Sequence, residues 1–237
     1  MSFRGVFITG TDTGVGKTFL AAAVVRVLRD AAVNVGAYKP VVSGSDDGAG
    51  PPRWRDIEEL AAALDHRFPA ERIGPQRFHA ALAPPAAARH EGRRVDAALL
   101  RSGVEWWRSR VDTLVVEGAG GLLCPVSDDD LAADLARDLG FPLVVVARSG
   151  LGTINHTLLT VEVALGRGLK VAGVVVNRHG ESGRDAAAAS NPAEIARRCP
   201  VPVLGVLPSC TPEALFQDAE FRKIDWLRLC CANAAVR

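Results

Sequence analysis

The stretch Gly10-Thr11-Asp12-Thr13-Gly14-Val15-Gly16-Lys17-Thr18 follows the apolar run Val6-Phe7-Ile8 and precedes an alanine-rich segment of helical spacing. It reads as strand, glycine loop and helix. Unpaired N–H groups at the helix start, together with the positive end of the helix dipole, make an anion site before any side chain is added. Lys17 adds a full charge, and Thr18 places a hydroxyl where a phosphate-bound Mg²⁺ takes a ligand. The loop is stretched: five residues separate Gly10 from Gly16, one more than the G-x-x-x-x-G-K-[ST] pattern allows.

That unit constrains the remainder of the chain. Apolar runs of strand length recur at 6–9, 33–38, 113–116, 143–147, 171–176 and 203–206, several nearly continuous in valine as buried parallel strands are. Segments of helical length and spacing lie between them at 17–29, 57–64, 96–108, 131–139, 153–166 and 192–198. Alternation of this kind predicts an α/β fold, a mostly parallel sheet with helices on both faces. At 237 residues one domain spanning 1–237 is the simplest organisation. Ligands of such sheets bind beyond the carboxyl ends of the strands, so the residues that follow each strand are the informative ones. Segments 46–55, rich in Gly, Pro and charge, and 180–190, small and polar, are expected to be mobile loops.

Composition removes several classes of function. No apolar run reaches the length of a membrane span, and no basic segment with an apolar stretch and cleavage site opens the chain, so a cytoplasmic protein without membrane contact is expected. Five cysteines without C-x-x-C spacing argue against a disulfide framework or structural zinc. A formal net charge of +1 gives no global field for nucleic acid. Lysine is scarce beside arginine, occurring only at Lys17, Lys39, Lys170 and Lys223. Two of those four fall in candidate site motifs, where a compact ammonium is not interchangeable with a guanidinium.

Glu117 ends an apolar strand and opens Gly118-Ala119-Gly120-Gly121, the position at which nucleotide-hydrolysing folds hold Mg²⁺ with an acidic side chain. Asp56 stands where it could cap the helix beginning near Ile57 or serve the same metal, and spacing does not separate the two. Lys39, at a strand end with Ser43 and Ser45 nearby, offers a second cation for an anionic substrate or transition state. Asn177 follows a valine run and could read an adenine edge or simply start a turn. The segment Leu151-Gly152-Thr153-Ile154-Asn155-His156 precedes an apolar helix and could bind a carboxylate or merely cap it. Of the adjacent Trp106 and Trp107, at most one can face the core fully.

Collected in this order, the motifs resemble the dethiobiotin synthetase family over most of the chain, from Phe7 to about Pro208. The stretched loop itself, Tyr38-Lys39-Pro40-Val41 with Ser43-Gly44, and Val116-Glu117-Gly118-Ala119-Gly120-Gly121 carry the resemblance, with weaker support from Leu151-Gly152, Ile154-Asn155-His156, Asn177 and Pro208. The resemblance implies a P-loop NTPase fold that binds ATP and Mg²⁺. ATP would contact Gly14, Val15, Gly16, Lys17, Thr18 and Phe19, then Asp56, Glu117, Gly118, Ala119, Gly120, Asn177, Leu207 and Pro208. Mg²⁺ would sit near Thr18, Asp56 and Glu117. The diamine 7,8-diaminononanoate, carrying CO₂ as a carbamate, would meet Thr13, Lys39, Ser43 and Gly120. Its carboxylate would reach Leu151, Gly152, Thr153 and Asn155 of a second subunit in a homodimer. Lys39, Lys17 and Thr13 would serve the chemistry.

Two positions depart from the family's pattern: Gly14 stands where some members carry an acidic residue, and Pro85 where a histidine is common. Competing expectations are a partitioning-type ATPase switch, which resembles its relatives in a second lysine near the loop start where this chain has Thr11, and a paralogue with the same fold and another substrate. An amide-forming relative would bring a glutaminase domain for which this length leaves no room.

Overall fold

The computed structural model describes residues 3–46, 50–178 and 186–231. In chain order the elements are β1 (Arg4–Gly10), α1 (Lys17–Asp30), β2 (Val35–Tyr38), β3 (Val41–Ser43), α2 (Arg55–Ala63), α3 (Ala70–Ile73), β4 (Gln76–Phe78), α4 (Pro84–His90), α5 (Ala97–Arg108) and β5 (Thr113–Glu117). They continue with α6 (Ala132–Leu139), β6 (Leu143–Arg148), α7 (Thr153–Gly166), β7 (Val171–Asn177), α8 (Ala186–Arg198), β8 (Val203–Leu207), α9 (Pro212–Gln217), α10 (Ala219–Lys223) and α11 (Trp226–Leu229).

Six strands form one parallel sheet in the order β2-β5-β1-β6-β7-β8. Each coincides with one of the apolar runs, because inner strands covered on both faces must be apolar along their length; Val6, Phe7 and Ile8 are fully buried, whereas the edge strand β8 is largely part-exposed. Right-handed crossovers put α1 on one face and α5 to α8 on the other. From β1 the chain turns back over β5 to reach β2, whereas after β5 it passes over β1 to reach β6. Neighbouring strands are thus left in opposite directions, and a crevice opens beyond the carboxyl ends of β1 and β5.

A second, two-stranded parallel pair, β3 with β4, lies outside the six-run pattern. The helix expected at 192–198 begins earlier, at Ala186, so 186–190 are helical rather than loop; a run of alanines favours helix once the flanking chain is anchored. The remainder of that expected loop, 180–185, lies outside the described residues, as do 47–49 of the first. On either side of the latter, Asp46 bridges to Arg53 and its carboxylate pairs with Arg55. Trp107 is fully buried while Trp106 is only partly so, and the two rings meet edge to face. Gly36 permits the Trp107 packing, since a Cβ there would stand 2.4 Å from the indole. Among the described residues no helix is long and apolar enough to cross a membrane.

Burial of acidic hydrogens in this core makes stability fall at high pH. Burial pushes the Cys230 thiol up to about 12 from an ordinary 9.0 and raises the Tyr38 phenol in the same direction. Below pH 9 the thiol is protonated in both states. Above it the unfolded chain releases a proton that the folded chain keeps, so stability declines from about pH 9 to about pH 12. Urea midpoints measured across that range are expected to fall steadily, and less steeply in Cys230→Ala.

Candidate functional site

The crevice holds a cavity of about 610 Å³ lined from four strand ends at once. Thr13, Gly14, Gly16, Lys17, Thr18 and Phe19 come from the loop and first turn after β1, Lys39 and Ser43 from the β2 and β3 ends, and Glu117, Ala119 and Gly120 from β5. Asp56 joins them from the first turn of α2; the cap position of that helix is Trp54 and no side chain caps it, so Asp56 faces the cavity instead of capping.

Local sequence explains the loop's shape. Gly14 and Gly16 adopt φ 72° and 95°, the left-handed region that turns successive N–H groups toward one side. No side chain caps α1, which leaves its dipole end open to an anion. Asn177, buried at the end of β7, donates its Nδ2 to the Val15 carbonyl at 2.9 Å and braces the loop from behind. Glycine is required at position 16, where a Cβ would lie 2.0 Å from that amide nitrogen. Asn177→Ala is expected to lower nucleotide affinity up to about tenfold, because one hydrogen bond worth about 1 kcal/mol is lost. Calorimetric titration with ADP measures this, and an unchanged affinity would disconnect the brace from binding.

Charge is concentrated at the cavity floor. Lys39 Nζ lies 2.6 Å from Glu117 Oε1 and 2.6 Å from Asp56 Oδ2, and the Thr18 hydroxyl donates to the same Glu117 Oε1 at 2.7 Å. Burial works to lower the Lys39 pKa, but Glu117 and Asp56 together outweigh it and hold the ammonium above the ordinary lysine value. For Asp56 the burial effect is likewise overcome, by Lys39, and the carboxyl is held below its usual range. Burial prevails at Glu117 and pushes its carboxyl upward, against the pull of Lys39 and with a further push from the Asp56 charge. Lys17 is lowered chiefly by burial, and its Nζ folds back onto the Asp12 carbonyl at 2.9 Å.

The donor set fits a hard divalent cation. Glu117 is 1% exposed, yet its Oε2 has no hydrogen-bond partner, an arrangement costly to keep unless a cation uses it. Among the described residues no group of three His, Cys, Asp or Glu side chains is placed to hold a metal unaided. Mg²⁺ does not need one, since it keeps waters and substrate phosphates and takes only one or two carboxylates. Thr18, Asp56 and Glu117 supply two carboxylates and a hydroxyl.

Other expected site residues lie outside this cavity's lining. Val15 is buried beneath the loop, Gly118 stands against Phe7, and Leu207 is buried at the end of β8, where it is followed by the exposed Pro208. Leu151 is 84% exposed, with Gly152 and Asn155 also at the surface, about the start of α7. Thr153 is turned inward, its side chain fully buried near Thr157 and its N–H taken by the Gly150 carbonyl. These contacts hold Thr153 in the turn that opens α7.

Sequence reading assigned no role to Glu59, Cys124 or the segment Ala81 to Pro84, all of which line the cavity. The last is held by Ser43, whose hydroxyl donates to the Leu82 carbonyl at 2.6 Å. Glu59 had a local signal, three residues after Asp56 on the same helical face. Pro85 is buried inside α4, so the departure at that position is accommodated by packing.

A parallel sheet with a glycine loop after its first strand and an acidic strand end beside it defines a P-loop nucleotide-binding protein. The fold agrees with solved structures of a ParA family ATPase from Chlorobium tepidum (TM-score 0.54, 15% identity, 96% of this chain and 92% of that one). It agrees equally with the septum site-determining protein MinD of Pyrococcus horikoshii in complex with Mg-ADP (TM-score 0.54, 17% identity, 97% and 95%). Residues 4–212 match a family model described as an AAA domain. Much nearer in sequence are the ATP-dependent dethiobiotin synthetases BioD of Anaeromyxobacter dehalogenans (strain 2CP-1), 49% identical over 86% of this chain and 90% of that one, and of Bacillus subtilis (strain 168), 39% identical over 86% and 87%. The chain belongs to the ATP-dependent dethiobiotin synthetase family.

Proposed function

We propose that this protein joins CO₂ to 7,8-diaminononanoate at the expense of ATP, forming the cyclic urea dethiobiotin with ADP and phosphate in biotin biosynthesis. One observation carries the reading: the phosphate loop, the Glu117 and Asp56 carboxylates and the second cation, Lys39, border a single cavity. One amine of the diamine takes up CO₂ as a carbamate. A carbamate oxygen attacks the γ-phosphorus and ADP leaves. The second amine then attacks the carbonyl carbon of the mixed anhydride and expels phosphate.

No protein nucleophile is needed for this sequence, which is governed by positioning and by compensation of moving negative charge. Loop N–H groups and Lys17 hold the triphosphate. Lys39 faces the carbamate and the transferring phosphoryl group, with Thr13, Ser43 and Gly120 shaping the place of the amines. Mg²⁺, when held by Thr18, Asp56 and Glu117, neutralises phosphate charge. Asn177, Leu207 and Pro208 lie toward the base, and since one edge of Asn177 braces Val15, base and phosphate sites are mechanically joined.

The same reading takes the whole chain as one ligase domain that works as a cytoplasmic homodimer, with Leu151, Gly152 and Asn155 completing the substrate site of the neighbouring subunit. Exposed Leu123 and Leu159, beside Thr11 and Gly121, and the exposed Leu151 at the start of α7 support a self-association surface. Incubation with ATP, Mg²⁺, the diamine and ¹³C-bicarbonate is expected to give a cyclic urea carrying the label at its carbonyl. ATP hydrolysis unaffected by the diamine would favour a switch ATPase instead. Sedimentation should return a dimer mass with or without nucleotide, whereas a switch would dimerise only with ATP.

A further inference from the structure

The carboxylates that would hold a divalent cation are already bridged by a cation of the chain's own. Lys39 Nζ stands 2.6 Å from both Glu117 Oε1 and Asp56 Oδ2, on a side chain only 4% exposed. Thr18, the third donor, spends its hydroxyl hydrogen on that same Glu117 oxygen. A metal drawing on these three groups brings two positive charges against a buried ammonium, where the low dielectric makes like charges repel strongly. Lys39 nevertheless borders the open cavity that runs on to Lys17 and Ser43, so its flexible stem can swing without leaving the site.

We propose that Lys39 is the resident counter-ion of the metal site in the nucleotide-free protein, and that a divalent cation arriving with nucleotide displaces it toward the phosphate and carbamate side of the cavity. This rests on reading Thr18, Asp56 and Glu117 as the metal donors. Metal and ammonium are then alternative occupants of the same oxygens. Metal alone binds weakly because it must expel a buried charge with no new partner. Nucleotide changes the balance, since its phosphate oxygens add ligands for the metal and give the ammonium another anion to face. Lys39 is thereby delivered to the reacting groups only when the metal–nucleotide complex is in place.

Mn²⁺ binding, followed by electron spin resonance with and without ADP, tests the competition apart from turnover. Without nucleotide, Lys39→Met is expected to bind Mn²⁺ on the order of tenfold or more tightly than the native chain, while Lys39→Arg, which keeps the charge, stays close to native. A chain with four lysines also allows ¹³Cε-lysine spectra of the native protein, in which the Lys39 signal is the one lost in Lys39→Arg. That signal should shift when Mg²⁺ is added to the ADP complex. Equal Mn²⁺ affinity in folded Lys39→Met and native protein, or a Lys39 signal indifferent to Mg²⁺, overturns the proposal and leaves the metal site standing. Absence of Mn²⁺ binding to native protein even with ADP overturns both. Should Lys39→Met fail to fold, the spectra of the native chain decide.

Discussion

Lys39→Ala is expected to slow product formation about a hundred- to a thousand-fold, the equivalent of about 3 to 4 kcal/mol in the transfer step. Lys17→Ala should fall in the same range, but for a different reason. Lys17 belongs to the phosphate loop, so its loss weakens nucleotide binding as well as turnover. Lys39 comes from the end of β2 rather than from the phosphate loop, and its loss should lower kcat more than it raises KM for ATP. The two variants should also differ in stability. Removing Lys39 leaves Glu117, 1% exposed, without its ion partner, and breaking a buried pair costs about 3 kcal/mol or more. Removing Lys17 strands only a loop carbonyl. Single-turnover kinetics and thermal melts on both variants make the distinction, and near-normal turnover in Lys39→Ala would remove its assigned role.

Gly16→Ala should abolish measurable nucleotide binding, with a loss of at least about a hundredfold. Left-handed backbone at φ 95° disfavours any residue with a Cβ, at about 1 to 2 kcal/mol. The added carbon would also lie 2.0 Å from Asn177 Nδ2. Either the brace on Val15 gives way or the loop changes φ, and both turn N–H groups away from the phosphates. Gly14→Ala is the informative control. It has the same hand of backbone, φ 72°, with nothing within 4 Å of the added carbon, so strain alone should cost it roughly tenfold or less. Equal losses at the two glycines would mean that the Asn177 contact is irrelevant.

The parts of this arrangement that could be read from sequence are those encoded locally. Six apolar runs are long enough to be strands in their own right; Lys39 and Glu117 stand directly after two of them, and Lys17 follows a third across the glycine loop. β3 and β4 are three residues each and gain their pairing from each other, a contact invisible to any window along the chain. Asn177 was legible as a strand-end amide, but its role behind Val15 depends on the end of β7 meeting the loop after β1, 162 residues away in the chain. The same limit applies to Asp56, which only the folded chain sets against Lys39 in the cavity rather than at the helix cap. Thr153 went the other way: its place at a helix start suggested availability, and packing turned it inward.

Oxygen tracing tests the central chemistry most directly. With CO₂ labelled by ¹⁸O, the carbamate oxygen that attacks the γ-phosphorus leaves as part of inorganic phosphate when the ring closes. One labelled oxygen per phosphate, appearing only when the diamine is present and in step with cyclic urea, is the expected result. Phosphate free of the label, with ADP formed at the same rate without diamine, would show water as the attacking group and contradict the account.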